Sequence, residues 1–217
     1  GPARLLCIVH GPGRFGRQVA EGAAAEAEVS SIPSRMLDTD ELPPTGLAGN
    51  WDLFSAGVFE QDAELTAKAL RLARPPQRLC TVSAGVREFG RAVDDPEGVF
   101  GVAQWFPGSG HEVTLGPNEG EFMRTYTAAE GNVPDYPATQ AAAGAVIAAH
   151  CARTAGSTHR GDLWAAAASL ETSTLFGAFR INPATGVQVK HETVLVRWTE
   201  GEPVALPRAG TGMQRGI

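Results

Sequence analysis

The sequence predicts an α/β protein built on a doubly wound parallel sheet, followed by a partial second lobe of helices and strands. Short and nearly continuous apolar runs recur through the first 105 residues, and such runs are typical of strands buried on both faces of a parallel sheet. Helical segments separate these runs, and this alternation builds right-handed βαβ units. From about residue 106 the chain changes to a loop rich in Gly and Pro and then to mostly helical segments.

In the first part, the apolar runs predict five strands and the segments between them three helices. The predicted strands are Arg4–Val9, Val29–Met36, Trp51–Val58, Arg78–Val82 and Val99–Trp105. The predicted helices are Phe15–Glu28, Glu60–Arg74 and Val86–Val93. Pro33 weakens the second strand, because proline has no N–H to donate to a sheet. Pro75 and Pro76 end the second helix, because proline has no N–H for the hydrogen bond within a helix.

The remainder of the chain predicts three helices, two strands and a closing hairpin. The predicted helices are Glu119–Gly131, Tyr136–Ala155 and Arg160–Leu170, and the predicted strands are Leu175–Ile181 and Thr193–Trp198. A hairpin turns at Glu200 and Gly201, and residues 208–217 resemble a frayed tail. The predicted organisation is therefore an α/β lobe over 1–107, a returning segment over 108–191, a strand that rejoins the first lobe over 192–207, and the tail over 208–217.

Composition excludes several classes of protein. The 217 residues are 43% hydrophobic and 19% charged, which is an ordinary globular profile. The net charge is −6, so the surface is a poor one for nucleic-acid phosphates and no nucleic-acid partner is expected. No apolar run reaches the ~20 residues that a membrane helix needs, and we see no signal sequence in this chain.

Residues suited to catalysis or metal binding are scattered. The three cysteines, Cys7, Cys80 and Cys151, are far apart and read as buried free thiols. The five histidines form no pair at metal-ligand spacing, and Ser83-Ala84-Gly85 is not a nucleophile elbow. We therefore expect no catalytic residues, no metal and no cofactor.

One loop offers an alternative function. Gly11, Gly13 and Gly16 form a GxGxxG pattern between the first strand and the first helix, where glycines let the backbone approach a pyrophosphate. Asp38 lies near the place where a ribose-binding acid is expected. This pattern favours an NAD(P)-dependent oxidoreductase, but a tight strand-to-helix turn explains the same glycines, and Pro33 disturbs the strand that would deliver Asp38.

Several segments, taken in order, resemble the type I periplasmic binding proteins of ABC importers, in the branch that binds Leu, Ile and Val. They are FGRQVAEG, WDLFSAGVFEQDAELTAKALR, SAGVREFG with GVAQWFP, PDYPATQAAAGAVIAAHCARTAGS, and TLFGAFRINPATGVQVKHETVLVRWTEGEPVALP. No single motif is diagnostic; the likeness lies in the order and spacing of the segments over Arg4–Pro207. It implies that residues 4–105 are the C-terminal lobe, that Trp105–Gly108 is a hinge crossing, and that the N-terminal lobe proper is absent.

The resemblance implies a substrate-binding protein, or a fragment of one, that binds an amino-acid-like ligand in a cleft between lobes without catalysis. The residues expected to face the ligand are Phe59, Glu60, Ser83, Trp105, Tyr136 and Gln140. Each has an ordinary alternative, such as packing, helix opening or an exposed lobe surface. The implied partners are the ligand, an ABC permease and a second chain that supplies the missing lobe, and the implied location is outside the cytoplasm. A ligand-sensing regulatory module with the same fold is a further alternative.

Overall fold

The computed structural model describes residues 5–42, 44 and 49–207. The chain divides into two compact units. The first runs to Ala103 and resumes at Leu195, and the second is Gln104–Val194. The start of the first predicted strand, at Arg4, and the predicted tail at 208–217 lie outside the described residues.

The first unit contains a seven-stranded sheet in the order β2-β1-β3-β4-β5-β8-β9. Its strands are β1 (Leu5–His10), β2 (Ser34–Leu37), β3 (Trp51–Ala56), β4 (Arg78–Thr81), β5 (Phe100–Ala103), β8 (Val194–Thr199) and β9 (Glu202–Ala205). The five strands β1 to β5 pair in parallel, whereas β8 and β9 form an antiparallel hairpin. The mostly parallel sheet with helices between its strands confirms the predicted fold class.

The described part of this unit has three α-helices: α1 (Arg14–Val29), α2 (Phe59–Leu70) and the four-residue α3 (Phe89–Ala92). Its hydrophobic core includes strand residues such as Leu53, helix residues such as Leu65 and Phe89, and Trp198 from β8. The Trp198 indole N–H donates a hydrogen bond to the Ala84 carbonyl at 2.9 Å. An added Cβ on Gly90 would lie 2.4 Å from the Trp198 ring, so glycine is what lets α3 approach β8.

Several predicted boundaries in this unit are wrong. Residue Val29 ends α1, and β2 begins only at Ser34, after Pro33, whose carbonyl accepts the Leu6 N–H at 2.8 Å. Helix α2 ends at Leu70 instead of Arg74. The predicted helix Val86–Val93 is a 3₁₀ turn at Val82–Gly85 followed by α3. The close packing of Gly85 on the Val102 carbonyl, 2.3 Å from where a Cβ would be, favours this tighter turn.

The second unit contains three helices, α4 (Glu119–Glu130), α5 (Tyr136–Ala155) and α6 (Arg160–Ser169), and a two-stranded sheet. The structure confirms the predicted bounds of α5. That helix has Pro137 in its first turn and ends at Gly156 in the left-handed conformation. The predicted strand Leu175–Ile181 is instead a hairpin of β6 (Thr172–Thr174) and β7 (Gly177–Phe179), because Gly177 adopts a φ of +111° and the chain reverses before it.

None of the helices in the described part of the chain is long and apolar enough to cross a membrane.

Candidate functional site

The carboxyl ends of β1 and β3 meet at one edge of the first unit's sheet. The chain moves from β1 outward to β2 and from β3 outward to β4, so the direction of winding reverses between β1 and β3. In open α/β sheets, ligands bind outside the carboxyl ends of the strands at such a reversal. This edge is therefore where the fold itself places a candidate site.

A cavity of about 710 Å³ opens at this edge. Its lining residues come from the ends of β1 and β2 and from α1 and α2: His10, Gly11, Pro12, Arg17, Asp38, Thr39, Gln61, Glu64, Leu65 and Lys68. Both signs of charge are present, with Arg17 and Lys68 beside Asp38 and Glu64. The Lys68 ammonium donates to the Thr39 carbonyl at 3.2 Å, which ties α2 to the segment after β2. A cavity of this size and mixed charge suits a small ligand that carries both charges.

Two of the three motif glycines pack closely against the protein. A Cβ added to Gly11 would lie 2.1 Å from Gln61 Oε1, and one added to Gly16 would lie 2.4 Å from the Ala56 carbonyl oxygen. Gly13 has no such neighbour within 4 Å. Gly16 therefore lets α1 approach the end of β3, and Gly11 leaves room for the Gln61 side chain of α2, which is the ordinary structural explanation of the motif.

The loops at this edge are held by one buried carboxylate. Asp62 lies in α2, is 0% exposed, and accepts hydrogen bonds from four donors. The Ser55 hydroxyl and the Gly57 N–H donate to Oδ1 at 2.5 and 2.8 Å. The Ser83 hydroxyl and N–H donate to Oδ2 at 2.7 and 3.2 Å. Asp62 thus joins the end of β3 to the turn after β4, and a buried carboxylate is stable there because each oxygen is hydrogen-bonded.

Three of the predicted site residues lie in the first unit. Phe59 and Glu60 begin α2; the Phe59 ring packs edge-on against Phe89 at 6.4 Å, whereas Glu60 is exposed. Ser83 is partly buried and its hydroxyl donates to Asp62. The structure therefore brings all three to α2 or to a side chain of α2, and the Ser83 hydroxyl keeps only its acceptor positions for a ligand.

The other three predicted residues lie in the second unit. Trp105 is 1% exposed, and its indole nitrogen is buried without a hydrogen-bond partner. Tyr136 and Gln140 are one turn apart in α5, the first half-buried and the second exposed. Burial, together with the Asp135 carboxylate, raises the pKa of Tyr136 above its usual value, so the phenol stays protonated at neutral pH and can donate a hydrogen bond.

The sequence pointed to two residues of the 710 Å³ cavity, Gly11 and Asp38, through the dinucleotide pattern, but it pointed neither to this cavity as the amino-acid site nor to Asp62. None of the six predicted residues lines that cavity. A signal for Asp62 existed, since Asp62 lies on the helix face of Leu65 and Ala69, where a carboxylate needs partners. The rest of the cavity lining had no such signal, because it comes from segments that are adjacent only after folding.

The buried cysteines Cys7 and Cys80 are poorly suited to thiol chemistry. Burial raises the pKa of the Cys7 thiol to about 11 and that of Cys80 to about 12, so both stay protonated and unreactive at neutral pH. Within the described ranges, no three His, Cys, Asp or Glu side chains are grouped as a metal would require.

No protein-family model and no curated protein sequence matches the chain. Solved structures do match it. A leucine-binding protein from Thermotoga maritima superposes with a TM-score of 0.76 at 12% identity, over 94% of this chain and 60% of that one. An ABC transporter substrate-binding protein from Desulfitobacterium hafniense, in complex with Leu, gives a TM-score of 0.72 at 14% identity, over 94% and 61%.

A third match is a solute-binding protein of an ABC transporter from R. palustris in complex with benzoate, with a TM-score of 0.65 at 15% identity, over 94% of this chain and 58% of that one. The chain has the type I periplasmic-binding-protein fold. This confirms the fold that the resemblance implied. The chain spans 58–61% of the length of these three proteins with the same fold.

Proposed function

We propose that this chain is part of a solute-binding protein of an ABC importer and binds a small amino-acid-like ligand without catalysing a reaction. The observation that carries the proposal is the shared fold, since the three matched proteins are described as leucine-binding, as a substrate-binding protein in complex with Leu, and as a solute-binding protein in complex with benzoate. Both ligands, leucine and benzoate, are small and carry an apolar group and a carboxylate.

The cavity at the edge of β1 and β3 supports this class of ligand. An amino acid carries an ammonium and a carboxylate, and the cavity offers partners for both. Arg17 and Lys68 suit the carboxylate, Asp38 and Glu64 suit the ammonium, and Leu65 supplies an apolar wall. The binding we propose is therefore an ion-paired one in which the first unit recognises the charged end of the ligand.

The residues expected from the sequence take complementary roles in this proposal. Phe59 presents an apolar surface at the start of α2, Glu60 offers a carboxylate, and the Ser83 hydroxyl accepts a hydrogen bond. In the second unit, taken by itself, we propose the Tyr136 phenol and the Gln140 amide as ligand-facing donors. Trp105, which is fully buried, keeps the segment after β5 in place for them.

The proposed partners follow from the length of the match. This chain spans only 58–61% of the length of the three matched proteins. We therefore propose that another polypeptide segment, in this chain's natural context or in a second chain, completes the ligand site. We also propose that an ABC permease receives the ligand and that the protein acts outside the cytoplasm.

Calorimetric titration of the 217-residue chain with leucine, isoleucine, valine and benzoate tests the proposal. Because a further segment completes the proposed site, we expect only weak binding of at least one of them by this chain, weakened about tenfold or more by Arg17→Ala or Lys68→Ala, since each removes a charged hydrogen-bond partner. Arg91→Ala is the matched control, because Arg91 is exposed on α3, does not line the cavity, and pairs with Glu88. Binding that is equally strong in all three variants would exclude the cavity, and no binding of any of the four ligands would contradict the proposal that the first unit by itself recognises the charged end of the ligand.

A dinucleotide site is the second candidate, because Gly11 and Asp38 line the same cavity. The close contacts of Gly11 and Gly16 argue against it, since both glycines face protein atoms. Titration with NADH, followed by its fluorescence, separates the two functions. Saturable NADH binding that is lost in Asp38→Asn, with no response to the four small carboxylates, would replace the importer function with a dinucleotide-dependent one.

A further inference from the structure

His10 is the last residue of β1, and its half-buried side chain lines the cavity of about 710 Å³ at the edge of β1 and β3. The backbone at this point is held by neighbouring elements. His10 pairs with Ala56 of β3, and the N–H of the next residue, Gly11, donates to the Ala56 carbonyl at 3.0 Å. Gly11 also packs against the Gln61 side chain of α2. The peptide that follows the His10 ring is therefore fixed in place.

A hydrogen bond to this peptide decides which nitrogen of the His10 ring carries the proton. The Nδ1 atom lies 2.7 Å from the Gly11 carbonyl oxygen. A carbonyl oxygen can only accept, so Nδ1 is the donor, and in the neutral ring Nε2 is left with a lone pair. Nε2 has no hydrogen-bond partner among the residues that the structure describes. In its neutral form His10 therefore offers the cavity an acceptor and no further donor.

Charged side chains of both signs line the same cavity. They are Arg17 on α1, Asp38 after β2, and Glu64 and Lys68 on α2. The two cations have only donors to offer, so they suit the carboxylate of an amino acid and not its ammonium. An ammonium has three N–H donors, and the neutral His10 ring adds a third acceptor to the carboxylates of Asp38 and Glu64. Benzoate has no amine, so it gains nothing from that third acceptor.

We propose that Nε2 of His10 accepts a hydrogen bond from the ammonium of the ligand, so that the cavity favours zwitterionic amino acids over carboxylates that lack an amine. This assignment rests on the proposed function, which puts the charged end of the ligand in the same cavity. Protonation of the ring turns Nε2 into a donor and leaves the bond from Nδ1 to Gly11 intact. The cationic ring repels an ammonium and attracts a carboxylate, so acidity weakens the binding of amino acids and does not weaken that of benzoate.

Calorimetric titration of the 217-residue chain with leucine, isoleucine, valine and benzoate, at about pH 7.5 and about pH 5.5, tests the role of His10. The three amino acids stay zwitterionic and benzoate stays anionic over this range, so a change in affinity reports on the protein. We expect the amino acids to bind about fivefold or more weakly at the lower pH, whereas benzoate does not weaken.

Two variants show whether the pH dependence comes from His10. His10→Asn keeps a donor and an acceptor but cannot titrate, so the affinity for the amino acids should be the same at both pH values. His150→Asn is the matched control, because His150 lies on α5 and does not line the cavity, and it should behave as the wild type.

The outcomes distinguish a failure of this assignment from a failure of the proposed function. Amino-acid binding that is the same at both pH values, or that changes equally in His10→Asn, would overturn the role of His10 and leave the ligand class intact. Binding of benzoate without binding of any of the three amino acids would do the same. No binding of any of the four ligands would contradict recognition of the ligand by the first unit, and the role of His10 with it.

Nitrogen-15 NMR of the wild-type ring provides a test that needs neither a ligand nor a variant. We expect the proton of the neutral His10 ring on Nδ1, as the hydrogen bond to Gly11 requires. A neutral ring with its proton on Nε2 would overturn the role of His10, even where the substitution impairs folding.

Discussion

The two units use similar alanine-rich helices in different ways. In the first unit, α1 and α2 flank a seven-stranded sheet, and α2 alone buries Asp62, Ala63, Leu65, Thr66 and Ala69. In the second unit, α4 and α6 bury none of their residues and the twenty residues of α5 bury three, within the described part of the chain. Helix composition therefore does not decide burial. What differs is that the first unit has a broad sheet for its helices to cover, whereas the second has two short strands.

This difference predicts where substitutions are costly. A side chain inside the first unit is surrounded by others, so its removal leaves a cavity. A side chain of similar size on the second unit's helices is partly in contact with water in the folded protein, so its removal lowers the free energy of unfolding by less. Tryptophan occurs in both settings and gives the sharpest comparison.

The largest effect is expected from Trp198→Ala. Trp198 is 1% exposed, packs against Phe89 at 6.0 Å and donates a hydrogen bond to Ala84. Its loss should lower the free energy of unfolding by about 3–5 kcal/mol in denaturant titrations. Trp164→Ala is the matched variant in the second unit, where the ring is 46% exposed, and should cost about 1 kcal/mol or less. Equal losses in the free energy of unfolding of the two variants would mean that Trp164 contributes as much to stability in the second unit as Trp198 does in the first.

A smaller loss, about 3 kcal/mol, is expected from Asp62→Ala, because the donors on Ser55, Gly57 and Ser83 then lose their acceptor in a buried setting. Glu64→Ala, two residues along the same helix and exposed, is the control and should cost less than about 0.5 kcal/mol. Thermal or denaturant unfolding measures both. If Asp62→Ala were no worse than Glu64→Ala, the carboxylate would not be what holds the two loops.

The smallest effect tests the glycine motif. Gly16→Ala places a Cβ 2.4 Å from the Ala56 carbonyl and should destabilise the protein by about 1–3 kcal/mol. Gly22, on the same helix, has no atom within 4 Å of that position, so Gly22→Ala should stabilise by about 0.5–1 kcal/mol. The two substitutions change the stability in opposite directions only if Gly16 is needed for the close packing of α1 on β3. A neutral or stabilising Gly16→Ala would leave the glycine free for a ligand and strengthen the dinucleotide alternative.

Patterns local in sequence predicted much of the fold. The apolar runs gave β1, β3 and β4 within three residues at each end, and the alanine-rich segment from Tyr136 predicted α5 with its observed bounds. Strand β6 was missed because Thr172–Thr174 is short and polar, and its pairing with β7 depends on the left-handed turn at Gly177. Such a strand has no apolar signature for a sequence pattern to detect.

The candidate site was harder to predict, for a different physical reason. Ser83 was expected as a ligand partner, yet its hydroxyl donates to Asp62, which lies 21 residues earlier. A hydroxyl that follows a strand has the same sequence context whether it faces a ligand or a neighbouring helix. Only the packing of α2 against the end of β4 decides between them, and that packing is a property of the folded chain.

The placement of β8 has a consequence for biosynthesis. Strand β8 is hydrogen-bonded to β5, and the Trp198 indole of β8 donates a hydrogen bond to Ala84, which lies 114 positions earlier in the sequence. A ribosome makes β1 to β5 first and then all of Gln104–Val194 before the strand that covers β5 emerges. Until then β5 is an open sheet edge, and open edges recruit strands from other chains. The time needed to translate the second unit therefore sets how long the nascent first unit is exposed to mispairing.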